Sequence, residues 1–285
     1  MKILVTGCNG QLGRELREVL ESTHPGITTY TDIDELDLCD RAAVQAFLDR
    51  GDFSHVVNCA AYTAVDKAEE QKKECAAANI DAITNLAYGA QDRCLKILHI
   101  STDYVFDGTA HRPYTENDKV NPLSHYGTTK RKGETALLGL APDSVVIRTA
   151  WLYAPDGHNF VNTMLRLART EGHVSIVSDQ IGTPTYARDL AEAICTILFS
   201  RQWVSGIFNF SNEGVCSWYD FAKAIFEIAD VSCEVTPIST DDYRSAAPRP
   251  YYSVLDKGRI RATYGIKIPY WRDSLRNGIN SIKDK

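Results

Sequence analysis

The sequence predicts an α/β protein with a doubly wound parallel sheet and a smaller, partly interleaved C-terminal part. Three observations lead there. Five short apolar bursts in the first half are each followed by a stretch with helical spacing, the first burst runs directly into a glycine-rich turn, and the alternation loosens after about residue 150. Strands that alternate with helices supply the long crossovers that parallel strands need, and helices then cover both faces of the sheet.

The bursts span residues 2–6, 27–31, 55–58, 95–101 and 144–149. Between them, apolar residues recur at three- and four-residue spacing over 12–20, 41–48, 79–90 and 126–138, which reads as four helices. The stretch 106–122 contains Gly108, Pro113 and Pro122 and breaks the rhythm; it reads as a loop leaving the carboxyl end of the fourth strand, where open α/β sheets bind ligands. Beyond Trp151 the pattern gives a helix over 160–170, short strands near Val174 and Ile207, and helices over 187–199 and 218–229. The segment 236–252, rich in Pro, Asp and Ser, reads as loop. Residues 1–150 are thus expected to form a dinucleotide-binding domain, with some later segments returning to it, and 151–285 mainly a substrate-binding part.

Composition narrows the function. The chain has 285 residues, 31 Lys+Arg against 37 Asp+Glu, and a formal net charge of −6. Nucleic acids and anionic membranes both require a concentrated basic face, which this distribution lacks, so neither is expected as a partner. No apolar run is long enough to span a bilayer and the N-terminus has no signal-peptide core, so a cytoplasmic location is expected. The 8 cysteines are scattered without a C-x-x-C pair, which offers zinc no local scaffold and argues for reduced thiols rather than a disulfide framework. No metal site is expected from the sequence.

The chemistry is concentrated at strand ends. The first strand runs into Gly7-Cys8-Asn9-Gly10-Gln11-Leu12-Gly13 and then into a helix. Glycines there permit a tight turn and close approach of a diphosphate to the backbone, while the helix N-terminus offers free N–H groups, as in Rossmann-like folds. Asp32, at the end of the second strand, stands where an acidic side chain would bond an adenosine ribose and repel a 2′-phosphate, although Asp34, Glu35 and Asp37 crowd the same loop. The third and fourth strands end in residues 58–63 (Asn-Cys-Ala-Ala-Tyr-Thr) and 101–104 (Ser-Thr-Asp-Tyr). Tyr126 and Lys130 open a helix one turn apart on the same face. An ammonium beside the phenol, together with an oxidised nicotinamide, would favour phenolate and bring the tyrosine toward use as a proton shuttle; Thr102 is the candidate hydroxyl to orient and polarise a substrate carbonyl.

This set resembles the extended short-chain dehydrogenase/reductase superfamily and, within it, the dTDP-4-dehydrorhamnose reductase family. The similarity runs nearly end to end, through G-x-x-G-Q-L-G at 7–13, N-C-A-A-Y-T-A-V-D-K-A-E at 58–69, S-T-D-Y-V-F-D-G at 101–108, N-P-L-S-H-Y-G-T-T-K at 121–130, R-T-A-W-L-Y at 148–153, N-F-V at 159–161, D-Q-I-G-T-P-T at 179–185 and R-P-Y-Y-S-V-L-D at 249–256. The resemblance implies NADPH or NADH as cofactor and reduction of the C4 keto group of dTDP-4-dehydro-L-rhamnose. It implies that Gly7, Gly10, Gln11 and Leu12 meet the cofactor diphosphate region, that Asp37 and Leu38 lie by the adenine, and that Ala61, Tyr62 and Thr63 border the nicotinamide side. Tyr126 would donate the proton and Lys130 would hold the nicotinamide ribose. Thr102 and Asp103 would contact the sugar, with Val65, Tyr104 and Trp151 on its face and Arg249 at the nucleotide diphosphate.

His99, inside an apolar strand, reads as structural, and Asp179 and Gln180 read as loop organisers. Some members of the family dimerise around magnesium held by glutamates; Glu15 matches one such position, but Arg188 falls where a second carboxylate is wanted, and a cation would be poorly held beside it. A monomer or a homodimer is compatible with the sequence. The rival functions are another nucleotide-sugar reductase or epimerase of the superfamily, and a non-catalytic regulatory subunit like that of methionine adenosyltransferase. The dehydratase route is disfavoured because Tyr104, not Glu, follows Asp103.

Overall fold

Strand β1 (Ile3–Thr6) is buried along its whole length, as expected of an Ile-Leu-Val-Thr run covered by helices on both sides. The computed structural model describes residues 1–91 and 93–283. With β2 (Thr28–Thr31), β3 (His55–Asn58), β4 (Lys96–Thr102), β5 (Val145–Thr149) and the strand Gly206–Asn209, β1 forms a six-stranded sheet. All its pairings are parallel, and the spatial order is Gly206–Asn209, β5, β4, β3, β1, β2. From β1 the chain passes first to β2 on one side and then to β3 on the other. That reversal opens a crevice at the carboxyl ends of β1 and β3, where doubly wound sheets take their ligands.

Helices α1 (Gln11–Thr23), α2 (Arg41–Gly51), α3 (Val65–Ala68), α4 (Lys72–Ala76), α5 (Ala82–Gln91) and α6 (His125–Leu140) belong to the first half. Alternate residues of each strand serve opposite faces. Ile3 and Val5 pack with Leu12, Leu16, Leu190 and Ile194, whereas Leu4 packs with Val44, Leu48, Ile83 and Leu86. The later helices are α7 (Phe160–Thr170), α8 (Ala187–Leu198), α9 (Trp218–Ala229), α10 (Gly258–Tyr264) and α11 (Trp271–Lys283). Leu190 and Ile194 of α8 lie against the α1 face of the sheet, so this helix and the strand Gly206–Asn209 both return to the first half. A second core joins α7, α9 and α11 through Val161, Met164, Phe221, Ile225 and Leu275.

The structure departs from the sequence pattern in a few places. The helix expected from residue 79 begins as α5 at Ala82, preceded by a π-helical turn, Ala77–Asp81. The segment read as loop from 236 starts within a strand, Glu234–Ile238, paired in parallel with His173–Val177. Pro237 tolerates this because a strand in a two-stranded sheet has a free edge. Helices α3, α4, α10 and α11 were not anticipated. The first three of these are at most 7 residues long, too short for an apolar period to emerge.

A buried ion pair ties α6 to the carboxyl ends of β4 and β5. Glu134 on α6 has no exposed surface and Arg148 on β5 is 1% exposed. Arg148 Nε and Nη2 donate to the two Glu134 oxygens at 2.8 and 2.7 Å. Ser101 on β4 and Arg131 add bonds of 2.6 and 2.9 Å to the same carboxylate. Burial raises the Glu134 carboxyl, but its partners overcome this and hold it below the usual range. Removing one charge strands the other in a dry interior at a cost of about 3–5 kcal/mol, whereas replacing both with apolar groups is far milder. Arg148→Met should therefore lower stability in urea unfolding by that amount, and Glu134→Leu/Arg148→Met should recover most of it. A double variant no more stable than the single would contradict this account.

Candidate active site

Three adjoining clefts open along the carboxyl rim of the sheet. The first, of about 360 Å³, is lined by Gly10, Gln11, Leu12, Ala61, Thr63, Val65, Thr102, Asp103, Tyr104, Tyr126, Lys130 and Trp151. The second, of about 310 Å³, lies between the ends of β1, β2 and β3 and is lined by Gly7, Gly10, Asp32, Asp37, Leu38 and Ala61. The two share Gly10, Cys59 and Ala61. The third, of about 590 Å³, meets the first at Tyr104 and carries Arg249 beside Phe160, Met164, Trp218 and Tyr243.

The β1–α1 turn suits a dinucleotide. Gly7 has φ +68°, and a Cβ there would stand 2.5 Å from the Ala60 nitrogen; a Cβ on Gly13 would stand 2.3 Å from the Gly7 carbonyl oxygen. Helix and strand can meet this closely only through glycine. A side chain caps α2 (Asp40), α6 (Ser124), α7 (Asn159) and α9 (Ser217). Helix α1 begins after Gly10 with no side-chain cap. Its first N–H groups therefore face the first cleft, and an uncapped helix N-terminus is matched to an anionic diphosphate.

Asp32 is partly committed to the turn itself: it accepts the Asn9 N–H at 2.8 Å and the Ile33 N–H at 2.9 Å. Lone pairs remain on both oxygens for a ribose. Asp37 accepts the Cys39 N–H at 2.8 Å. Asn85 on α5 holds that loop by donating to the carbonyls of Leu38 and Cys39. Tyr62 is the one cofactor candidate whose side chain turns aside, because its phenol donates to Gln71 at 2.6 Å and it lines neither the first nor the second cleft. Its backbone is nevertheless gripped at both N–H and C=O by Asn79, which also bonds Thr129 of α6 at 3.1 Å. Asn79 sits in the π-helical turn, a distortion often found beside functional sites.

Register brings Thr102 opposite Thr149 on β5, and the N-terminus of α6 sets Tyr126 and Lys130 before it. Tyr126 and Thr102 line the same cleft, and the Thr102 hydroxyl acts to lower the phenol. Thr102 Oγ1 in turn donates to Asp103 at 3.1 Å and accepts the Tyr104 N–H at 3.2 Å. Burial pushes the Tyr126 phenol far above its ordinary value. Lys130 Nζ is turned toward β4: it donates to the Ile100 carbonyl at 2.6 Å and lies 3.3 Å from His99 Nε2. Burial lowers Lys130 to about 8 and raises Asp103 to about 6.

Trp151 stacks on Trp218 with ring centroids 3.6 Å apart. Its backbone has φ +47°, and Gly182 makes room for the indole, since a Cβ there would lie 2.6 Å from the ring. Arg249 forms a two-pronged pair with Asp66 at 2.6 and 3.1 Å, gives a further bond from Nη1 to the Ala247 carbonyl at 3.2 Å, and lines the third cleft. Asp179 and Gln180 organise the loop at Thr240, as their bonds to its N–H and hydroxyl show. Arg188 pairs with Glu15 at 3.1 Å and Glu18 at 2.7 Å, so a guanidinium sits among the carboxylates of the α1–α8 surface.

Several site residues lay outside the sequence reading. Asn79 and Asn85 were hidden within a helical pattern. Asn159 donates to Gln11 at 2.9 Å, and Gln11 donates to the His158 carbonyl at 3.3 Å, so the loop before α7 orients a residue at the head of α1. Only the N-F-V motif at 159–161 pointed there.

Comparison with known proteins agrees with this geometry. Residues 1–283 match the family described as RmlD substrate binding domain. The chain is 41% identical to the spore coat polysaccharide biosynthesis protein SpsK of Bacillus subtilis, over 96% of this chain and 95% of that one. It is 39% identical to the dTDP-4-dehydrorhamnose reductase of Aggregatibacter actinomycetemcomitans, over 97% of each. A crystal structure of a dTDP-4-dehydrorhamnose reductase from Clostridium acetobutylicum superposes with TM-score 0.95 and 42% identity, covering 99% of this chain and 100% of that one. One from Bacillus anthracis in complex with NADP gives TM-score 0.94 and 35% identity with the same coverage. The chain belongs to the dTDP-4-dehydrorhamnose reductase family.

Proposed function

We infer that this chain reduces the C4 keto group of dTDP-4-dehydro-L-rhamnose to give dTDP-L-rhamnose, the last step of that sugar nucleotide's synthesis, with NADPH or NADH. The observation that carries the inference is the meeting of Thr102, Tyr126 and Lys130 in one cleft that runs on to the uncapped start of α1. In this reading Gly7, Gly10, Gln11 and Leu12 take the cofactor diphosphate, Asp32, Asp37 and Leu38 the adenosine end, and Ala61 and Thr63 the nicotinamide side. Residues 1–150 then form the cofactor part and 151–285 mainly the substrate part. Among the described residues no helix is long and apolar enough to cross a membrane, which accords with action in the cytoplasm on a nucleotide sugar, as a monomer or homodimer.

When bound, the reduced nicotinamide supplies a hydride; the protein's own task is to place the ketone and deliver one proton. Tyr126 is suited to donate it. Reduction needs a protonated phenol at the start, and burial keeps the phenol protonated. Thr102 orients the carbonyl oxygen and steadies the alkoxide as charge develops. Tyr126 O–H breaks as the product hydroxyl forms, and a charged Lys130 one turn away favours the resulting phenolate. Asp103 and Tyr104 border the sugar with Val65 and Trp151, and Arg249 faces the nucleotide diphosphate across the third cleft.

An assay of NADH or NADPH consumption with dTDP-4-dehydro-L-rhamnose tests this reading, and also shows which cofactor is preferred. Tyr126→Phe should lower kcat by about 10²–10⁴-fold, the usual worth of a placed general acid. Unchanged turnover in that variant, or no consumption despite cofactor binding, would exclude the mechanism. Because kcat/KM reports groups of the free enzyme, it should fall as pH rises through about 8, where Lys130 loses its ammonium. Arg249→Ala should raise substrate KM by about tenfold with a smaller change in kcat, as loss of a charge-assisted contact remote from the reacting carbon does. An unaltered KM would remove Arg249 from the site.

A further inference from the structure

Behind the cleft, strand register sets three polar groups in a line. Asn58 ends β3 opposite Thr6 on β1 and His99 on β4, and His99 faces Lys130 of α6. All three residues are about 1% exposed. The direction of the hydrogen bonds along this line is fixed at its far end. Asn58 Oδ1 accepts the Thr6 hydroxyl at 2.8 Å and the Ala60 N–H at 3.0 Å. A flipped amide would put its NH₂ group against the Ala60 N–H, two donors face to face, so Nδ2 must be the atom directed at His99.

Asn58 Nδ2 then donates to His99 Nδ1 at 3.0 Å. A ring nitrogen that accepts bears no hydrogen, so the neutral imidazole carries its hydrogen on Nε2. That nitrogen lies 3.3 Å from Lys130 Nζ. An Nε2–H can bond a lysine nitrogen only if the lysine offers its lone pair, as an uncharged amine. Against an ammonium, donor would again face donor. Imidazolium is no alternative, since burial holds His99 far below its usual value, and a second ring N–H would oppose Asn58.

The amine form fits the remaining contacts. One Nζ hydrogen is taken by the Ile100 carbonyl, the lone pair takes His99 Nε2–H, and one hydrogen is left for the cleft that Lys130 lines. The other groups near Lys130 are Glu134 on its own helix, Cys75 on α4, Cys59 after β3 and Tyr126. Glu134 favours the ammonium, but its charge is already shared with Arg148 and Arg131. The Cys59 thiol is pushed up to about 12 by burial and stays neutral; burial likewise raises Cys75 and Tyr126.

We propose that His99, oriented by Asn58, is a positioning residue that presents an N–H to Lys130 Nζ and favours its amine, so that Lys130 titrates in the working range instead of remaining a fixed cation. This rests on reading Tyr126 and Lys130 as the active pair, and it concerns a residue that the sequence suggested was structural only.

The first test needs no variant. In the full chain without ligand, long-range ¹H–¹⁵N correlation of the histidine rings, with His99 assigned by comparison with His99→Gln, should show His99 as the Nε2–H tautomer from about pH 6 to about pH 9, with no imidazolium form across the range where an ordinary histidine titrates. An Nδ1–H tautomer or an imidazolium in that range overturns the proposal. The second test reverses the line. Asn58→Asp keeps the acceptor for Thr6 and Ala60 but turns Nδ2 into an oxygen, so His99 should take its hydrogen on Nδ1 and accept from the lysine ammonium.

The basic limb of kcat/KM should then move up by about one pH unit or more. In a His99→Gln background the same substitution should move it far less, which separates relay through the imidazole from direct attraction by the new carboxylate. Equal shifts in both backgrounds, or none, contradict the proposal. Activity surviving in Tyr126→Phe would instead undo the active-pair reading, while the tautomer measurement would still stand or fall by itself.

Discussion

The catalytic geometry depends on the buried bond between Glu134 of α6 and Arg148 of β5. Tyr126 and Lys130 ride on α6, while Thr102 and Asp103 end β4, and the Glu134 carboxylate is where α6, β4 and β5 are joined by charge-assisted hydrogen bonds. Apolar packing alone would let α6 slide or rotate along its apolar neighbours at small cost, because hydrophobic contact has no direction. A bidentate guanidinium–carboxylate pair has a fixed geometry. It therefore sets the register between the helix bearing Tyr126 and Lys130 and the strand bearing Thr102, beside the apolar contacts that α6 makes through Leu137, Leu138 and Leu140.

Electrostatics at the site follow from the same burial. Desolvation moves each ionisable group toward its neutral form, and for a phenol that is to give up a proton the neutral form is the useful one. The phenol of Tyr126 stays protonated and able to donate. Lys130 and Asp103 are shifted from opposite directions toward neutrality, to about 8 and about 6. A site of this kind changes charge easily within a narrow pH span, as a reaction that consumes one proton per turnover requires.

How far the sequence could be read depended on how local each signal was. The sheet was legible because β1, β3, β4 and β5 carry their apolar runs in their own residues, and α7 and α9 because their caps, Asn159 and Ser217, directly precede their apolar periods. Thr102, Tyr126 and Lys130, which line one cleft, stand out in the sequence because short motifs carry them. Asn79 and Asn58 were not singled out: their roles arise only when Asn79 meets the Tyr62 backbone and Asn58 meets Thr6 and His99, across gaps of 17, 52 and 41 residues. The strand Glu234–Ile238 was missed because its Pro237 argues against a strand by itself, and only pairing with His173–Val177 makes it one.

Trp151 shows what the meeting of the two halves demands. Four described residues other than glycine have positive φ, and two of them, Asp52 and Asp230, are ordinary left-handed C-caps of α2 and α9. Trp151 caps no helix. It lies two residues past the buried end of β5, and a bulky residue in this conformation costs on the order of 1–3 kcal/mol unless its surroundings hold it. They do so from the second half of the chain: Trp218 of α9 stacks on the indole, Gly182 leaves space for it, and the Thr185 N–H bonds its carbonyl at 3.1 Å. The backbone strain at the rim of the sheet is thus held by the C-terminal core, and a shift of that core relative to the sheet would be felt first at an indole that lines the same cleft as Tyr126 and Thr102.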